Sequence, residues 1–473
     1  ETNRTFNPYT YENQTDNYTQ THYQWHNTFY FKNDADVTVT FNYTKGKGYY
    51  EQLEEDQFFS DYGVNDLVLS GDTIFSSDLI TQKWLDNDFY GAYLQYRKDW
   101  KGDLGLNFGG AFYQYAGDHF GKVTWAEYTQ PFGINYEWYR NDALKNDANI
   151  FSIFSYEFTE KLAGYLDLQL RSVQHRFEGF DEDGLLTDQQ VDLLFFNPKI
   201  GVSYEMHDRN LFYFSLAKSS HEPNRYDYIE SSPLSRPNPE KLYDAEAGNK
   251  LNVNGWQLYS TLFFMYYQDQ LILTGRINDV GAYTRVNVPV SYRAGAELAW
   301  AKTFFETLQW QGNISVSQNK IQEFTEYTDN WDTGEQLVAI YTNTSIAFSP
   351  SLIAANKIEQ LVFSNEDKNP SKNLSFSVAL QSKYVSRQFI DNTSHADRAL
   401  EPYFLHDLLL NFRYHSTVFR ELNLGFTVQN TFNTLYESNA WVYKYIYEGE
   451  HQELNGYFPQ AGRTFVAIMR VKF

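Results

Sequence analysis

Tyrosine, tryptophan and arginine are the residue types in this sequence that best suit the binding of a small molecule. An aromatic ring offers a large contact area at low entropic cost, and a guanidinium can fork onto carboxylate or catecholate oxygens. The candidates for ligand contact are those that fall in long predicted connections: Tyr49, Tyr50, Trp125, Arg225, Tyr226, Arg276, Tyr283, Arg285, Tyr443 and Tyr445. A structural interpretation stays open, because such rings also suit an interfacial aromatic girdle or the packing of one loop on another.

Groups with catalytic or metal-binding chemistry do not form a convincing pattern. His221 and Glu222 stand beside Arg225, but ten scattered histidines make such neighbours common by chance. The acidic run that begins at Asp181 and ends at Gly184 lacks the alternate oxygen spacing and the distal glutamate of a calcium-binding EF-hand loop. The chain has no cysteine, which excludes thiolate metal sites and disulfides. The sequence therefore predicts a protein that is not an enzyme and that holds no cofactor or metal.

Composition limits the fold and the partners. The 473 residues include 39 Tyr and 38 Phe, yet the mean hydropathy is −0.57. No apolar run approaches the roughly 18 residues of a membrane helix. A chain that is hydrophilic on average but rich in aromatic residues is typical of a transmembrane β-barrel, in which only alternate residues face lipid. The net charge of −22 argues against nucleic acid as a partner.

Amphipathic segments recur along the whole chain, and the connections between them alternate between short and long. Leu162–Leu170, Leu374–Leu380 and Leu422–Val428 each place apolar residues at every second position. Short turns rich in Asn, Asp, Gly and Lys alternate with long connections such as Lys47–Gln82 and Asn433–Pro459. Periplasmic turns are short and extracellular loops are long in outer-membrane barrels. The pattern predicts an all-β, antiparallel transmembrane barrel with about 17 strands in this chain and long extracellular loops.

The closing segment Ala461–Phe473 predicts a last strand that runs from the outside to the periplasm and ends on an aromatic residue. With an odd number of strands, the first strand must run the same way. The chain then begins in an outer loop, although single-chain bacterial barrels have even strand numbers. This parity predicts that N-terminal strands are missing, with residues 1–473 forming one incomplete barrel domain.

Four motifs in order along the C-terminal half resemble those of TonB-dependent outer-membrane receptors. The aromatic strand and loop of Phe212–Lys250 lead into a run formed by Pro239, Glu240, Glu246 and Gly248. Val290–Leu298 (VSYRAGAEL), Val428–Tyr436 (VQNTFNTLY) and Phe458–Gly462 (FPQAG) follow. The sequence as a whole is also similar in character to the sequences of receptors of the Bacteroidetes type. The resemblance implies a complete barrel of about 22 strands around an N-terminal plug of roughly 150 residues, neither the plug nor the TonB box being present here.

The resemblance also implies a function and partners. We expect an active importer in the outer membrane that takes up a scarce nutrient chelate, with a ferric siderophore favoured, and that couples to the TonB–ExbB–ExbD complex through the absent plug and TonB box. A cobalamin or haem receptor, a glycan importer with a surface lipoprotein, and a passive pore remain alternatives. Haem ranks below siderophore because no histidine lies between Pro223 and Asn238, where haem receptors of this kind carry one.

Overall fold

A computed structural model describes residues 4–5, 7, 9–32, 34–100, 104–229, 236–277, 283–365, 373–415 and 420–473. Within them the chain is almost entirely β-strand. It divides into two compact units. Unit 1 consists of Glu1–Glu157 and Tyr165–Pro198, and unit 2 consists of Phe158–Gly164 and Lys199–Phe473.

The strands of unit 1 are β1 (Thr15–Phe31), β2 (Ala35–Phe58), β3 (Leu67–Leu69), β4 (Asp72–Ile74), β5 (Ser76–Asp99) and β6 (Leu104–Ala126), with a 3-10 helix at Phe59–Tyr62. Three strands have residues in both units: β7 (Tyr136–Thr159), β8 (Leu162–Gly179) and β9 (Gln189–His207). Unit 2 contains β10 (Asn210–His221), the helix α1 (Arg225–Ile229), β11 (Glu240–Val253), β12 (Trp256–Ile277), β13 (Tyr283–Phe304), β14 (Leu308–Asn330), β15 (Gln336–Ser345), β16 (Leu352–Ser364), β17 (Leu374–Val385), β18 (Gln388–Phe389), β19 (Ala399–Leu400), β20 (Tyr403–Tyr414), β21 (Glu421–Gln429), β22 (Glu437–Tyr447), β23 (Glu450–Pro459) and β24 (Thr464–Lys472).

Each long strand in unit 1 pairs antiparallel with its neighbour in sequence, in the order β1, β2, β5, β6, β7. Side chains alternate between the two faces of a strand, so the residue types separate the faces. One face carries exposed apolar residues such as Trp25 and Phe41. The opposite face is polar, with hydroxyl contacts such as His26 to Thr40 and Thr28 to Thr38 at 2.8 and 3.0 Å.

The long strands of unit 2 also pair antiparallel. Its ladders run antiparallel through β10 to β14 and then β16, β17, β20, β21 and β24. Strand β15 pairs with the C-terminal part of β14, and β22 forms a hairpin with β23. A short parallel contact joins Asp329 and Asn330 of β14 to Tyr445 and Ile446 of β22.

Buried apolar clusters lie where connections fold back against strands. In unit 1 the helix residue Tyr62 packs with Leu79, Val123 and Ala126. In unit 2, Ile390 and Leu400 of the β17–β20 connection pack with Ala440 and Val442 of β22. These small clusters fix the connections, because long strands that expose apolar residues on one face leave few side chains for a central core.

The predicted all-β antiparallel fold is confirmed. Twenty strands take part in the large ladders among the described residues. Three of these, β15, β22 and β23, lie within connections, which leaves the 17 that the sequence predicts. The predicted long connections were too long, however. β2 continues to Phe58 and β5 already begins at Ser76, because the strands stay paired well past the apolar part of the face. Among the described residues no helix has the length and apolar character to cross a membrane.

Candidate ligand-binding surface

The β22–β23 hairpin displays a row of aromatic side chains. Along β22 the even positions Ala440, Val442 and Ile446 are buried. Alternation sends the odd positions to the other face, and from residue 441 onward these are all aromatic: Trp441, Tyr443, Tyr445 and Tyr447. The Tyr443 and Tyr445 rings are 5.6 Å apart. Two of the sequence-predicted ligand residues therefore stand side by side.

Trp331, from the turn between β14 and β15, extends this row. Its ring stacks on Tyr445 with centroids 4.1 Å apart and planes at 20°, and its edge meets Tyr447 at 6.4 Å. Trp331 and Tyr447 are about half exposed. We call Trp331, Trp441, Tyr443, Tyr445 and Tyr447 the β22 aromatic row. Its stacked and edge-on rings present a large, partly exposed contact area.

Backbone contacts hold the tip of the hairpin against the β14–β15 turn. Asp332 accepts hydrogen bonds from the amides of Glu448 and Gly449, at 2.8 and 2.7 Å. Both turn residues have positive φ, 53° and 73°, which leaves their N–H groups pointing away from the hairpin ladder. A carboxylate that receives two such donors fixes the position of the hairpin tip and of the aromatic row beside it.

A group of charged residues holds the other side of the hairpin. Arg398, on the β17–β20 connection, contacts Asp391 at 3.2 Å, Glu453 of β23 at 2.7 Å and Glu326 of β14 at 3.9 Å. Lys444 of β22 also pairs with Glu326. We call these five residues the Arg398 cluster. It ties one connection to three strands.

Burial makes the Arg398 cluster sensitive to the loss of a charge. The side chains of Arg398, Glu326 and Lys444 are 12–13% exposed, and that of Asp391 is only 3% exposed. Burial opposes the charge on Arg398, but its contacts with Glu453, Asp391 and Glu326 raise its pKa above the usual value. Burial likewise opposes the charge on Glu453, but the hydrogen bond from Arg398 lowers the pKa of that carboxyl. Removal of Arg398 would leave the buried Asp391 carboxylate without a cation.

The same connection is anchored by an amide. Asn392 is fully buried, donates to the carbonyl of Leu273 at 2.6 Å and accepts from the amide of Ala347 at 2.9 Å. Gly275, with φ of 89°, lies so close that a Cβ there would be 2.8 Å from the carbonyl oxygen of Ile390. The β17–β20 connection is therefore a packed segment that supports β22.

A second group of predicted residues meets at helix α1. Arg225 and Tyr226 begin the helix, with the guanidinium 5.4 Å from the Tyr226 ring. Arg285 of β13 lies 3.5 Å from Asp227 of the same helix. Tyr228 is fully buried, and burial next to Glu222 raises its pKa to about 12. Three of the predicted residues thus come together on one ordered segment, with Tyr226 exposed.

Unit 1 holds the remaining predicted residues that can be described. Tyr49 and Tyr50 are consecutive in β2 and so point to opposite faces, and the Tyr49 ring packs on Trp84 at 4.7 Å. Trp125, near the end of β6, is about half exposed. The backbones of Arg276 and Tyr283 lie in β12 and β13, but their side chains lie outside the described part of the structure.

Comparison with known proteins identifies the family. The sequence matches the family described as TonB dependent receptor-like, beta-barrel, over residues 1–430. This chain belongs to that family. No curated protein matches the sequence.

Solved structures of two import-related receptors and a copper transporter share the fold. The ferric-catecholate import receptor Fiu from K12 E. coli matches with a TM-score of 0.67 at 16% identity, over 97% of this chain and 64% of that one. The siderophore receptor PiuA from Acinetobacter baumannii matches with a TM-score of 0.67 at 15% identity, over 97% and 65%. The copper transporter OprC matches with a TM-score of 0.69 at 13% identity, over 96% and 65%. This TonB-dependent receptor barrel therefore spans slightly less than two thirds of these proteins.

Some residues of the candidate surface in this TonB-dependent receptor were not predicted. Trp331 was missed because its partner, Tyr445, is more than 100 residues away in the sequence. The turn chemistry of Asp332–Gly334 was the available signal, since it marks a hairpin tip. Within the described residues, no group of three or more His, Asp or Glu side chains is placed to hold a metal ion.

Proposed function

We propose that this chain is the barrel of an outer-membrane, TonB-dependent importer that binds a scarce nutrient chelate, with a ferric siderophore as the favoured ligand. The observation that carries the proposal is the β22 aromatic row, which the Arg398 cluster and Asp332 hold in place. Function in such barrels sits on connections carried by a rigid scaffold, and this row is an ordered, partly exposed surface on such a connection.

The chemistry of the row favours a ligand with planar rings. Stacked Tyr and Trp side chains bind the faces of catecholate or similar aryl groups. Arg225 and Arg285, at helix α1, supply guanidinium groups of the kind that fork onto chelating oxygens. Fiu and PiuA, which have the same fold, are a ferric-catecholate receptor and a siderophore receptor. The energy would come from the inner membrane through the TonB–ExbB–ExbD complex, so no residue of this barrel needs a catalytic role.

Equilibrium binding to the purified receptor in detergent tests the proposal. The probes are a ferric tris-catecholate, ferric citrate, cobalamin, haem and a maltooligosaccharide, with quenching of tryptophan fluorescence as the signal. We expect the ferric tris-catecholate to bind most tightly. Tight binding of cobalamin, haem or the oligosaccharide alone would overturn the ferric assignment.

Variants then locate the site. Tyr445→Ala removes the ring that stacks on Trp331, and we expect affinity to fall about fivefold, in line with about 1 kcal/mol for an aromatic pair. Tyr204→Ala is the control, because Tyr204 is an exposed tyrosine of β9, outside the hairpin. Equal effects of the two variants would contradict a site at the aromatic row. Uptake of radioactive iron by cells, with and without a protonophore, separates active import from a passive pore.

A further inference from the structure

Strand β15 has one paired edge and one open edge. Its ladder to β14 runs from Asp329 opposite Gln336 to Lys320 opposite Ser345. Among the described residues, no second strand pairs with the other side of β15 over this length. Its side chains are correspondingly exposed, with Ile340 at 64%. A strand with one open edge presents a row of N–H and C=O groups that have no ladder partners.

One hydrogen bond at the hairpin tip shows which backbone groups point to the open edge. The amide of Asn330 donates to the carbonyl of Glu335 at 2.8 Å, so these two residues form a hydrogen-bonded pair. Bonded and non-bonded pairs alternate along an antiparallel ladder. The backbone groups of Gln336, Val338 and Ile340 therefore point away from β14. Each of these residues offers one donor and one acceptor to a further strand.

The open stretch ends where another segment covers β15. The amide of Ser345 donates to the hydroxyl of Ser394 at 2.7 Å, and the amide of Phe348 donates to the carbonyl of Phe389 at 2.8 Å. Both acceptors belong to the β17–β20 connection. The part that stays open is Gln336–Thr342, about 23 Å long at the rise of a strand. We call Gln336–Thr342 the β15 edge.

The hairpin holds the β15 edge in a fixed position. The Tyr341 ring packs on Phe324 with centroids 6.5 Å apart, and the Tyr341 hydroxyl donates to Glu326 at 3.2 Å. Phe324 belongs to a buried apolar cluster that also contains Ile321 and Ile346. A strand that is already ordered loses little conformational entropy when a partner pairs with it.

The composition of the β15 edge favours pairing with another strand. Val338 and Ile340 lie on one face and Leu337 lies on the other, so both faces beside the edge are apolar. Natural edge strands are usually protected by a lysine, a proline, a bulge or a short length. Gln336–Thr342 contains no charged residue and no proline. Such an edge is a template for strand addition, in which main-chain hydrogen bonds supply affinity.

Acidic residues surround the β15 edge. The sequence has five acidic residues and no Lys or Arg between residues 321 and 356. Glu335 directly precedes the edge, and Glu323 is on β14 opposite Thr342, at the other end. Both side chains are exposed, and neither forms an ion pair within the described part of the chain. The open backbone groups therefore lie between two carboxylates.

This charge argues against a second copy of the chain as the occupant. Two β15 edges could pair antiparallel around a two-fold axis. That pairing would bring two sets of five carboxylates together, on chains that each carry a net charge of −22. Like charges on neighbouring strands destabilise a sheet, whereas opposite charges stabilise it. The edge therefore favours a basic partner.

We propose that the β15 edge binds one extended, basic segment of another polypeptide by strand addition. Its backbone would form hydrogen bonds with Gln336, Val338 and Ile340, and a Lys or Arg at each end would meet Glu323 and Glu335. Alternate apolar side chains of the segment would extend the two apolar faces of the hairpin. The proposal goes beyond nutrient import, because the ligand is a polypeptide and the contact is a sheet edge.

Fluorescence anisotropy with the purified receptor in detergent tests the proposal. The probe is a labelled peptide of alternating valine and threonine with a lysine at each end and both termini blocked. The comparison peptide carries glutamate in place of each lysine. We expect the basic peptide to bind at least about fivefold more tightly at low salt, and the difference to shrink at high salt. Absence of binding by the basic peptide, or equal binding of the two, would overturn the proposal.

Proline on the β15 edge separates strand addition from other contacts. Val338→Pro removes an N–H that points to the open side and no bond to β14, so an edge strand tolerates it. We expect binding to weaken about tenfold. Val338→Thr keeps the N–H and the branched shape and is the matched control, with affinity within about twofold of the wild type. Unchanged binding by Val338→Pro would refute pairing at this edge.

A fold check accompanies the proline variant. Hydrogen exchange at the Asn330 amide, which donates to Glu335, reports whether β15 stays paired with β14. Ile340→Pro repeats the test at the next outward residue, and we expect the same tenfold loss. Normal peptide binding by Ile340→Pro would contradict the proposal even if Val338→Pro loses its hairpin.

Charge variants test the two ends of the edge. Glu323→Gln with Glu335→Gln should weaken binding of the basic peptide by about fivefold at low salt. Glu160→Gln with Glu306→Gln is the matched control, because both residues are exposed carboxylates in short turns. An equal loss in the two double variants would mean non-specific attraction and refute the site. A dimer in analytical ultracentrifugation that Val338→Pro abolishes would place a second copy at the edge and overturn the assignment.

The two proposals fail in different ways. We expect Val338→Pro to bind the ferric tris-catecholate as the wild type does. A receptor that binds the basic peptide but no ferric chelate would refute the import assignment alone. A receptor that binds the ferric chelate but not the peptide would refute strand addition alone.

Discussion

Substitution of Arg398 by methionine should release the β17–β20 connection from the strands that it contacts. Methionine keeps much of the length and apolar bulk of the side chain but removes the charge. Glu326 would keep Lys444 and the Tyr341 hydroxyl as partners. Among the described residues, Asp391 would keep the amide and hydroxyl of Thr393 as donors, at 3.0 and 2.7 Å. The principal cost is therefore one carboxylate, 3% exposed, that loses its cation.

The size of the effect follows from this burial. Loss of one partner from a buried ion pair costs about 3–5 kcal/mol. The Glu453 carboxylate is one third exposed, so its lost contact adds little. The remaining bonds from Thr393 place the expected cost near the lower limit, at about 3 kcal/mol. That value corresponds to more than a hundredfold rise in the opening equilibrium of the connection.

Hydrogen exchange measures this opening directly. The reporting amides are Ile390, which donates to the Arg398 carbonyl, Phe348, which donates to Phe389, and Ala347, which donates to Asn392. We expect their protection to fall more than a hundredfold in Arg398→Met. Lys472→Met removes an exposed ion pair with Glu421 and serves as the control, with no change at these amides.

A double variant decides whether the unpaired charge is the cause. Arg398→Met combined with Asp391→Asn removes both members of the pair, so protection should recover partly toward the wild-type value. Protection in Arg398→Met within threefold of the wild type would refute the view that the ion pairs hold the connection. A double variant that exchanges as fast as the single one would refute the assignment of the cost to Asp391.

Three other outcomes follow from the same contacts. Asp332→Ala should weaken docking of the hairpin tip by roughly 1 kcal/mol. The two turn amides that donate hydrogen bonds to Asp332 should then exchange about fivefold faster, and unchanged exchange would contradict the role of Asp332 in holding the tip. The lowered pKa of Glu453 makes its contribution to hairpin docking complete above its unfolded value, near 4.5, and lost as the pH falls through the folded value. Hairpin exchange measured against pH should show that loss, and Glu453→Gln should flatten the acid limb. Gly275→Ala should destabilise the connection by on the order of 2 kcal/mol through a contact with a carbonyl oxygen, which a denaturant titration followed by tryptophan fluorescence would detect.

The fold was largely accessible from the sequence because strand periodicity is local. The alternation at Leu374–Leu380 and at Leu422–Val428 predicts β17 and β21, since side chains on one strand face must share a medium. The lengths of the strands could not be predicted in the same way. Beyond Thr44 the residues on that face of β2 become charged. A polar strand is easily predicted to be a loop when the strand that it pairs with is unknown.

The candidate surface was accessible only in part. Tyr443 and Tyr445 were found because aromatic residues concentrate in one predicted connection. Trp331 and the Arg398 cluster depend on contacts between segments that are far apart in sequence, such as those of Arg398 with Glu326 of β14 and Glu453 of β23. Charge alone could not select Arg398, because each of its carboxylate partners is one of 60 acidic residues. Tertiary packing, rather than residue type, creates that cluster.

The 24-residue length of β2 and β5 affects how insertions and deletions should act in this protein. The paired register runs from Ala35 opposite Lys98 to Phe58 opposite Ser76. A single-residue deletion within Gly48–Leu53 would move every following side chain to the other face of the sheet. The same deletion at Asn65 or Asp66 would fall in exposed backbone outside the strands. Inserted peptide tags therefore belong in that short connection, even though the polar composition of both segments makes them look equally permissive.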